Sequence, residues 1–396
     1  MTFARVVLKS RRAKPFFARH PWVFAGAIAD VHGEPADGDV VDLFSTADTF
    51  IARGLYNSQS KIRVRLYSWN QDQTLDRDFW RNRFESAHKL RRDMLGLDQP
   101  NSAYRLVFSE ADGLSGLTVD KYADWLVMQF TGLGLAHRRE ELADILVEML
   151  QPRGIYLRTE RGMGDLEGID LQDGLLRGEM PAGPVTIEEN GLHFLVDLTT
   201  GQKTGFYTDQ RDNRRRVGEL SHGRRVLDAF CYTGGFGLYA SRAGAEEVIA
   251  VDVSNSALSL AQANADANGL TNLAFVKSDV FTHLSTLAEN QEKFGLVILD
   301  PPKFARKRNA IDEAMRGYRR LQSLALRLLE PDGILVMCCC SGLIQLPMLE
   351  TLLGQLAESE KRDVQILEKR GQSADHPVSA SCLESNYLKC LICRVG

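Results

Sequence analysis

Long apolar runs, a disulfide-forming complement of cysteine and an excess of one charge sign are all missing from this sequence of 396 residues. No stretch of roughly 18 apolar residues occurs and no early apolar segment of the signal-peptide type, so no membrane span is expected and a cytoplasmic setting is. The seven cysteines are an odd number, and Cys338, Cys339 and Cys340 are consecutive. A chain of this size with that pattern has no disulfide framework, which implies a reducing compartment. Lys and Arg number 48 against 52 Asp and Glu, a net charge of −4 that excludes a wholly basic nucleic-acid coat while leaving room for local patches. What is present is length, enough for two or three domains each with its own core.

One local patch is visible at once. Arg5, Lys9, Arg11, Arg12, Lys14 and Arg19 precede the first acidic residue. Short alternating segments follow, Phe3 to Lys9, Gly38 to Leu43, Phe50 to Leu55 and Ile62 to Tyr67, separated by Gly, Asp, Asn and Ser turns as in a small β-barrel. Arg63 and Arg65 share a strand face near Trp22 and Tyr56, a combination able to bind RNA backbone and stacked bases or to be an ordinary solvated face. Helical periodicity begins at residue 76, where Trp80, Phe84, Ala87 and Leu90 form one apolar stripe. Further strands and the helix His137 to Leu150 complete a middle α+β region, and residues 162–183 read as a connecting segment. These shifts place boundaries at 1–72, 73–184 and 185–396.

The third region is organised around Val226 to Asp252, a strand, glycine turn, helix and strand. Val226 and Leu227 run into Asp228. Tyr232, Thr233, Gly234, Gly235 and Gly237 then supply a turn that a ligand can approach closely, and Asp252 follows Asp228 by 24 positions at the end of the next strand, where an acid meets ribose hydroxyls in doubly wound folds. Gly235, Gly237 and Ala240 also satisfy a dinucleotide pattern, and the glycines alone are explained by a tight connection. Alternation continues through Ser254 to Asn268, Leu273 to Val276, Val280 to Glu289, Leu296 to Leu299, Ala310 to Leu329 and Ile334 to Cys339. That is a parallel sheet covered by helices, with an antiparallel ribbon added at its edge.

Ligands in such sheets bind at the carboxyl ends of the strands, a rule that collects Asp228, Asp252, Asp279, Asp300 and Cys340 on one rim. Asp300-Pro301-Pro302-Lys303-Phe304 is a rigid extended segment that can hold a carboxylate and carbonyls against a flat base. Pyridine nucleotide chemistry gives no use for it; methyl transfer to a nucleobase does. Cytosine C5 becomes nucleophilic when a thiolate adds at C6, so a cysteine at the adjoining strand end supplies the missing reagent, with Asp300 at N3. Cys338 and Cys339 read as core residues, and Cys390 and Cys393 as strand residues of opposite parity rather than a metal pair. Gly201 through Arg211 reads as a polar lid or a solvated helix cap.

Arg19-His20-Pro21-Trp22-Val23-Phe24, Gly201 through Arg211, Tyr232 through Phe236, Asp300 through Phe304, Cys340-Ser341-Gly342 and Ala374 through Val378 together resemble the bacterial cytosine-C5 methyltransferases of large-subunit ribosomal RNA, over essentially the whole chain. The resemblance implies an N-terminal PUA domain, a central α+β domain and a Rossmann-like domain using S-adenosylmethionine. It matches Cys340 to the nucleophile, Asp252, Asp279 with Val280 beside it, and Asp300 to the cofactor side, and Lys203, Thr204, Tyr207 and Gln210 to the loop before the pocket, with Pro301, Pro302, Lys303 and His376 on the substrate side. Large-subunit rRNA is the implied partner, with no metal and no membrane; a homodimer is left open. Cys339 stands where the family usually has Ser, and Pro302 where other RNA cytosine methyltransferases carry a second, product-releasing cysteine. A guanine N-methyltransferase without a thiol, or an RNA-binding scaffold keeping its cofactor pocket, are the alternatives.

Overall fold

The structure is a computed structural model describing residues 3–160, 162–305 and 307–396. The chain divides into two compact units, one formed by Met1–Ile187, Val196–Thr208 and Ala374–Ser385, the other by Glu188–Leu195, Asp209–Ser373 and Asn386–Gly396.

The first unit opens with β1 (Ala4–Leu8), a short α1 (Lys14–Phe17), β2 (Trp22–Phe24), β3 (Ile28–His32), β4 (Val40–Phe44), β5 (Phe50–Tyr56) and β6 (Ile62–Ser68). They pair as a six-stranded sheet in the order β2-β6-β5-β4-β1-β3. Alternation sends Val6 and Leu8, Val41 and Leu43, Val64 and Leu66 to a single interior, as period-2 side chains require. Trp22 lies opposite Arg65 in the register. The outward, RNA-facing role open to Arg65 is not what the structure shows. Its side chain is buried and donates to Glu110 at 3.3 Å, Glu167 at 3.1 Å and the Thr131 carbonyl at 2.9 Å, while Arg63 turns back to the Asn57 carbonyl at 3.2 Å.

Helix α2 (Arg77–Lys89) starts at Asp76, whose side chain caps the Phe79 N–H at 3.0 Å. Its stripe of Trp80, Phe84 and Ala87 is buried, as the periodicity predicts. Then come β7 (Ala103–Phe108), β8 (Leu117–Tyr122), β9 (Trp125–Phe130), α3 (Leu133–Ala136), α4 (Arg139–Leu150), β10 (Gly154–Arg158), α5 (Met163–Glu167) and β11 (Gly174–Gly178), the strands ordered β11-β10-β9-β8-β7. The segment 162–183 is therefore more than a connection, because β11 pairs antiparallel with β10. A two-stranded ribbon, β12 (Val185–Glu189) and β13 (Leu192–Val196), is where the chain passes from one unit to the other.

The second unit holds α6 (Arg211–Glu219), β14 (Arg225–Ala229), α7 (Gly235–Arg242), β15 (Glu247–Asp252), α8 (Asn255–Ala267), β16 (Leu273–Lys277), α9 (Val280–Glu289), β17 (Phe294–Leu299), α10 (Ile311–Leu328), β18 (Leu329–Cys339), α11 (Leu346–Glu360), β19 (Val364–Arg370) and β20 (Lys389–Val395). Its seven strands run β16-β15-β14-β17-β18-β20-β19. The first five pair in parallel; β20 is antiparallel to both β18 and β19. Apolar residues fill both faces, Val226, Leu296, Ile298 and Val336 on one and Leu227, Val297, Leu299 and Leu335 on the other, which explains near-continuous hydrophobic strands. Cys390 and Cys393 fall in these two different cores, as their parity demands.

Candidate active site

The parallel register decides which side chains share the rim. Asp228 is level with Ala250 on β15 and Ile298 on β17, so Asp252 and Asp300 each stand two residues further out on flanking strands. Leu299 is level with Met337 on β18, which sets Asp300 beside Cys338 and Cys340 two residues beyond.

Between β14 and α7 the backbone turns through three left-handed residues, Phe230 (φ 64°), Tyr232 (φ 50°) and Gly234 (φ 82°). Two of these carry side chains, and strain of that kind is retained where a turn has to present its backbone to something. A Cβ on Gly234 would come within 2.6 Å of Leu238, so glycine here also lets α7 sit close. The tight connection that the turn suggests is therefore present.

Among the described residues, Asp228, Asp252 and Asp279 at this rim accept from neutral donors. Asp228 is fully buried; one oxygen accepts the Gly237 N–H at 2.8 Å and the other has no hydrogen-bond partner among the described residues. Burial, with Asp300 and Asp252 as like charges, pushes its pKa up to about 7 against the one backbone hydrogen bond. Asp252 accepts the N–H groups of Tyr232 at 3.0 Å and Ser254 at 2.9 Å. Asp279 is exposed and caps α9, accepting from the Thr282 N–H at 2.9 Å, with Val280 buried directly behind it. Asp300 accepts from the Gln210 side chain at 3.1 Å, and Asn213 in turn donates to Gln210 at 2.7 Å. The hydroxyl oxygen of buried Thr233 also has no hydrogen-bond partner among the described residues. Clustered acids with an orphaned oxygen suit a ligand that brings hydroxyl donors and a positive charge, which the ribose and sulfonium of S-adenosylmethionine do.

Beyond Asp300, Pro301 is buried while Pro302 and Lys303 are exposed, and Phe304 lies against Tyr318 with ring centroids 5.0 Å apart. The three consecutive cysteines separate cleanly. Cys338 and Cys339 are fully buried, and Cys339 accepts the Tyr318 hydroxyl at 3.2 Å. The hydrogen bond with Cys390, and then burial, push the Cys338 thiol well up. Cys340 is half-buried, and the other six cysteines are all buried. Ser341, itself buried, ties this strand end to the Asp300–Phe304 segment through its hydroxyl, which donates to the Ala305 carbonyl at 3.1 Å.

Relatives called "Ribosomal RNA large subunit methyltransferase I" match at 41% identity in Aeromonas salmonicida and 43% in Tolumonas auensis, in each case over 98% of both chains. The chain belongs to the ribosomal RNA large subunit methyltransferase I family. Consistently, a family profile for S-adenosylmethionine-dependent methyltransferases matches residues 173–380 of this methyltransferase, and one for a PUA-like domain matches residues 6–69. The solved structure of the methyltransferase SMU.776 complexed with SAH superposes with a TM-score of 0.86 at 22% identity, covering 100% of each chain, and so shares the fold. S-adenosylmethionine is the cofactor of the methyltransferase domain.

Of the residues singled out in the sequence, Asp228, Tyr232, Thr233, Gly234, Gly235, Asp252, Asp279, Val280, Asp300, Pro301, Pro302, Lys303, Cys340 and Gln210 lie in the second unit. Lys203, Thr204, Tyr207 and His376 lie in the first. There Thr204 donates to Asp120 at 2.5 Å and meets the Tyr122 hydroxyl at 3.0 Å, and Lys203 sits 4.1 Å above the Tyr207 ring. His376 is buried, 3.2 Å from Asp375 and tilted against Phe108. His20 approaches Glu384 at 3.5 Å, near Cys382. Its Nδ1 accepts the Trp22 N–H at 3.3 Å. Two residues at the rim escaped sequence reasoning, Asn213 behind Gln210 and Lys389 at the start of β20. The spacing of Asn213 from Gln210, one helical turn, is the only signal that pointed to either.

Proposed function

We propose that this protein methylates C5 of a cytosine in large-subunit ribosomal RNA, in the cytoplasm, through a covalent adduct between Cys340 and cytosine C6. The observation that carries the reading is the contrast within one strand: Cys340 alone of seven cysteines is not buried, and it ends the strand next to the one carrying Asp300. The names of the relatives supply large-subunit rRNA as the substrate class.

The Cys340 thiolate forms a bond to C6, and the electron pair of the C5–C6 double bond makes C5 a nucleophile. Asp300, steadied by Gln210, hydrogen-bonds at N3 and offsets the charge that builds on the ring. Bound S-adenosylmethionine supplies the electrophilic methyl group for C5. Loss of the C5 proton to a base then restores the double bond and expels Cys340 as thiolate. Asp228, Asp252, Asp279 and the Tyr232–Gly235 turn bind the adenosyl end, and Pro301, Pro302 and Lys303 lie against the base and its backbone. A base reached at an in-plane carbon has to leave its stack, so the target nucleotide is flipped or single-stranded.

Transfer of labelled methyl to unmodified large-subunit rRNA, followed by nucleoside analysis, tests the reading. Wild type should give 5-methylcytosine and Cys340→Ala none, a loss of at least about a thousandfold if the nucleophile is obligatory. Label on guanine that survives Cys340→Ala would refute the thiol mechanism, and binding of cofactor with no transfer to any RNA would refute the enzyme.

A further inference from the structure

Lys389 is an unusual side chain for its surroundings. It is the first residue of β20, paired in register with Cys339 of β18, and only 8% of it is exposed. Its flanks in the strand, Cys390 to Cys393, are fully buried core residues. A lysine in such a place is normally paired with a carboxylate, because taking an ammonium ion out of water costs several kcal/mol. Among the described residues none lies within 4.0 Å of it. Its Nζ donates instead to two carbonyls, that of Ser341 at 2.9 Å and that of Tyr387 at 3.1 Å. An ammonium has three donors, so these bonds fix it in place, neutralise nothing and leave one N–H uncommitted.

The position at which it is fixed is informative. Ser341 immediately follows Cys340, and the Ser341 hydroxyl is bonded to Ala305 just past the Asp300–Phe304 segment. The positive charge therefore sits beside the peptide that joins Ser341 to Gly342, one residue past Cys340, and the groups of opposite potential charge it faces are the thiols of Cys339 and Cys340, with the Lys303 ammonium opposing it. Cys339 is fully buried and occupied by the Tyr318 hydroxyl. Cys340 is the half-buried thiol. Burial lowers the pKa of Lys389, the expected sign for a cation taken out of water.

We propose that Lys389 is the positioning residue that keeps Cys340 in its thiolate form, the ammonium and the thiolate forming the ion pair that the buried lysine otherwise lacks. The inference rests on the reading of Cys340 as the nucleophile. Its chemistry is a proton equilibrium: the Cys340 thiol gives its proton to solvent, and the resulting anion is stabilised by a fixed charge in a site of low polarity, where Coulomb attraction is stronger than in water. The same charge stabilises the thiolate as leaving group when the C6–S bond breaks, which suits an enzyme whose Pro302 replaces a second cysteine.

The test reads the thiol without RNA. Iodoacetamide alkylation of Cys340 is followed by peptide mass spectrometry against pH in the native full chain; the six buried cysteines react slowly and are resolved by peptide. In wild type the midpoint should fall clearly below the value of about 8.5 for free cysteine. In Lys389→Met it should rise by about one pH unit or more, with alkylation at pH 7 about tenfold slower, and Lys389→Arg should recover part of the difference. A wild-type midpoint at or above that of free cysteine overturns the proposal whatever the variants do, which covers a Lys389→Met protein that does not fold. A folded Lys389→Met protein with an unchanged midpoint overturns it too. If Cys340 shows the low midpoint and its dependence on Lys389, yet Cys340→Ala still transfers methyl, the ion pair stands and the nucleophile assignment falls; the converse result separates them the other way.

Discussion

Buried carboxylates occur in both units, and they are treated differently. In the first, four of them meet a guanidinium: Glu110 and Glu167 with Arg65, Asp112 with Arg91 at 2.6 Å and Asp120 with Arg105 at 2.6 Å. At the rim of the second, Asp228 and Asp252 are answered among the described residues by backbone N–H groups only, and Asp228 keeps one oxygen with no donor at all. Burial alone does not distinguish these acids, and sequence composition does not either. What differs is whether the fold itself supplies the opposite charge. Where it does, the acid holds the structure together; where it does not, as in the proposed cofactor rim, the acid is left to be answered by a ligand, and the local stability is lower for it.

That contrast can be broken from either side. The largest stability effect is expected in the first unit: Arg65→Leu leaves Glu110 and Glu167 buried without their cation and should cost about 3–5 kcal/mol, seen as an earlier denaturant transition of that unit. Asp228 gives the opposite kind of result. Its pKa of about 7 in the folded protein lies above the usual carboxylate value of 3.8, so the folded state binds the extra proton between those values and stability falls as pH rises from about 4 to 7, then levels. Asp228→Asn should remove that slope and make the protein a few kcal/mol more stable at pH 8, measured by denaturant titration at several pH values. A mutant as pH-sensitive as wild type would mean that the rim acid is not the proton's site. Smallest in stability is Asp252→Asn, which should move unfolding by less than about 1 kcal/mol while weakening S-adenosylmethionine by more than about tenfold in calorimetry. Equal binding by this variant would remove Asp252 from the cofactor site.

The second unit was largely legible in the sequence because its signals are local. Strand ends followed by Asp252, Asp279, Asp300 and Cys340, and the N-cap at Ser254, whose hydroxyl accepts the Ala257 N–H at 3.2 Å, are all set by neighbours in the chain. The fate of Arg65 was not legible: parity gave its strand face, but whether that face met solvent depended on Glu110 and Glu167, 45 and 102 positions away. β11, Gly-Leu-Leu-Arg-Gly, is too short and too rich in glycine to announce itself, and α5 before it lies between two left-handed glycines, Gly162 and Gly168. Lys389 escaped for a third reason. A lone lysine in an apolar strand looks like an interruption until the carbonyl of Ser341, far away in sequence, is found beneath it.

The placement of β20 sets a timetable. Cys338 pairs with Cys390, so during synthesis β18 remains an open sheet edge until 52 more residues have been added. The first unit waits almost as long, since the Asp375 carbonyl and carboxylate that receive Arg91 and the Arg105 N–H come from residues 374–385. Neither unit can close as its early strands emerge, and both are finished by the same late stretch of chain. Such long-range closure is slow compared with local folding, so the strand end beside Cys340 is completed among the last parts of the enzyme to leave the ribosome that makes it.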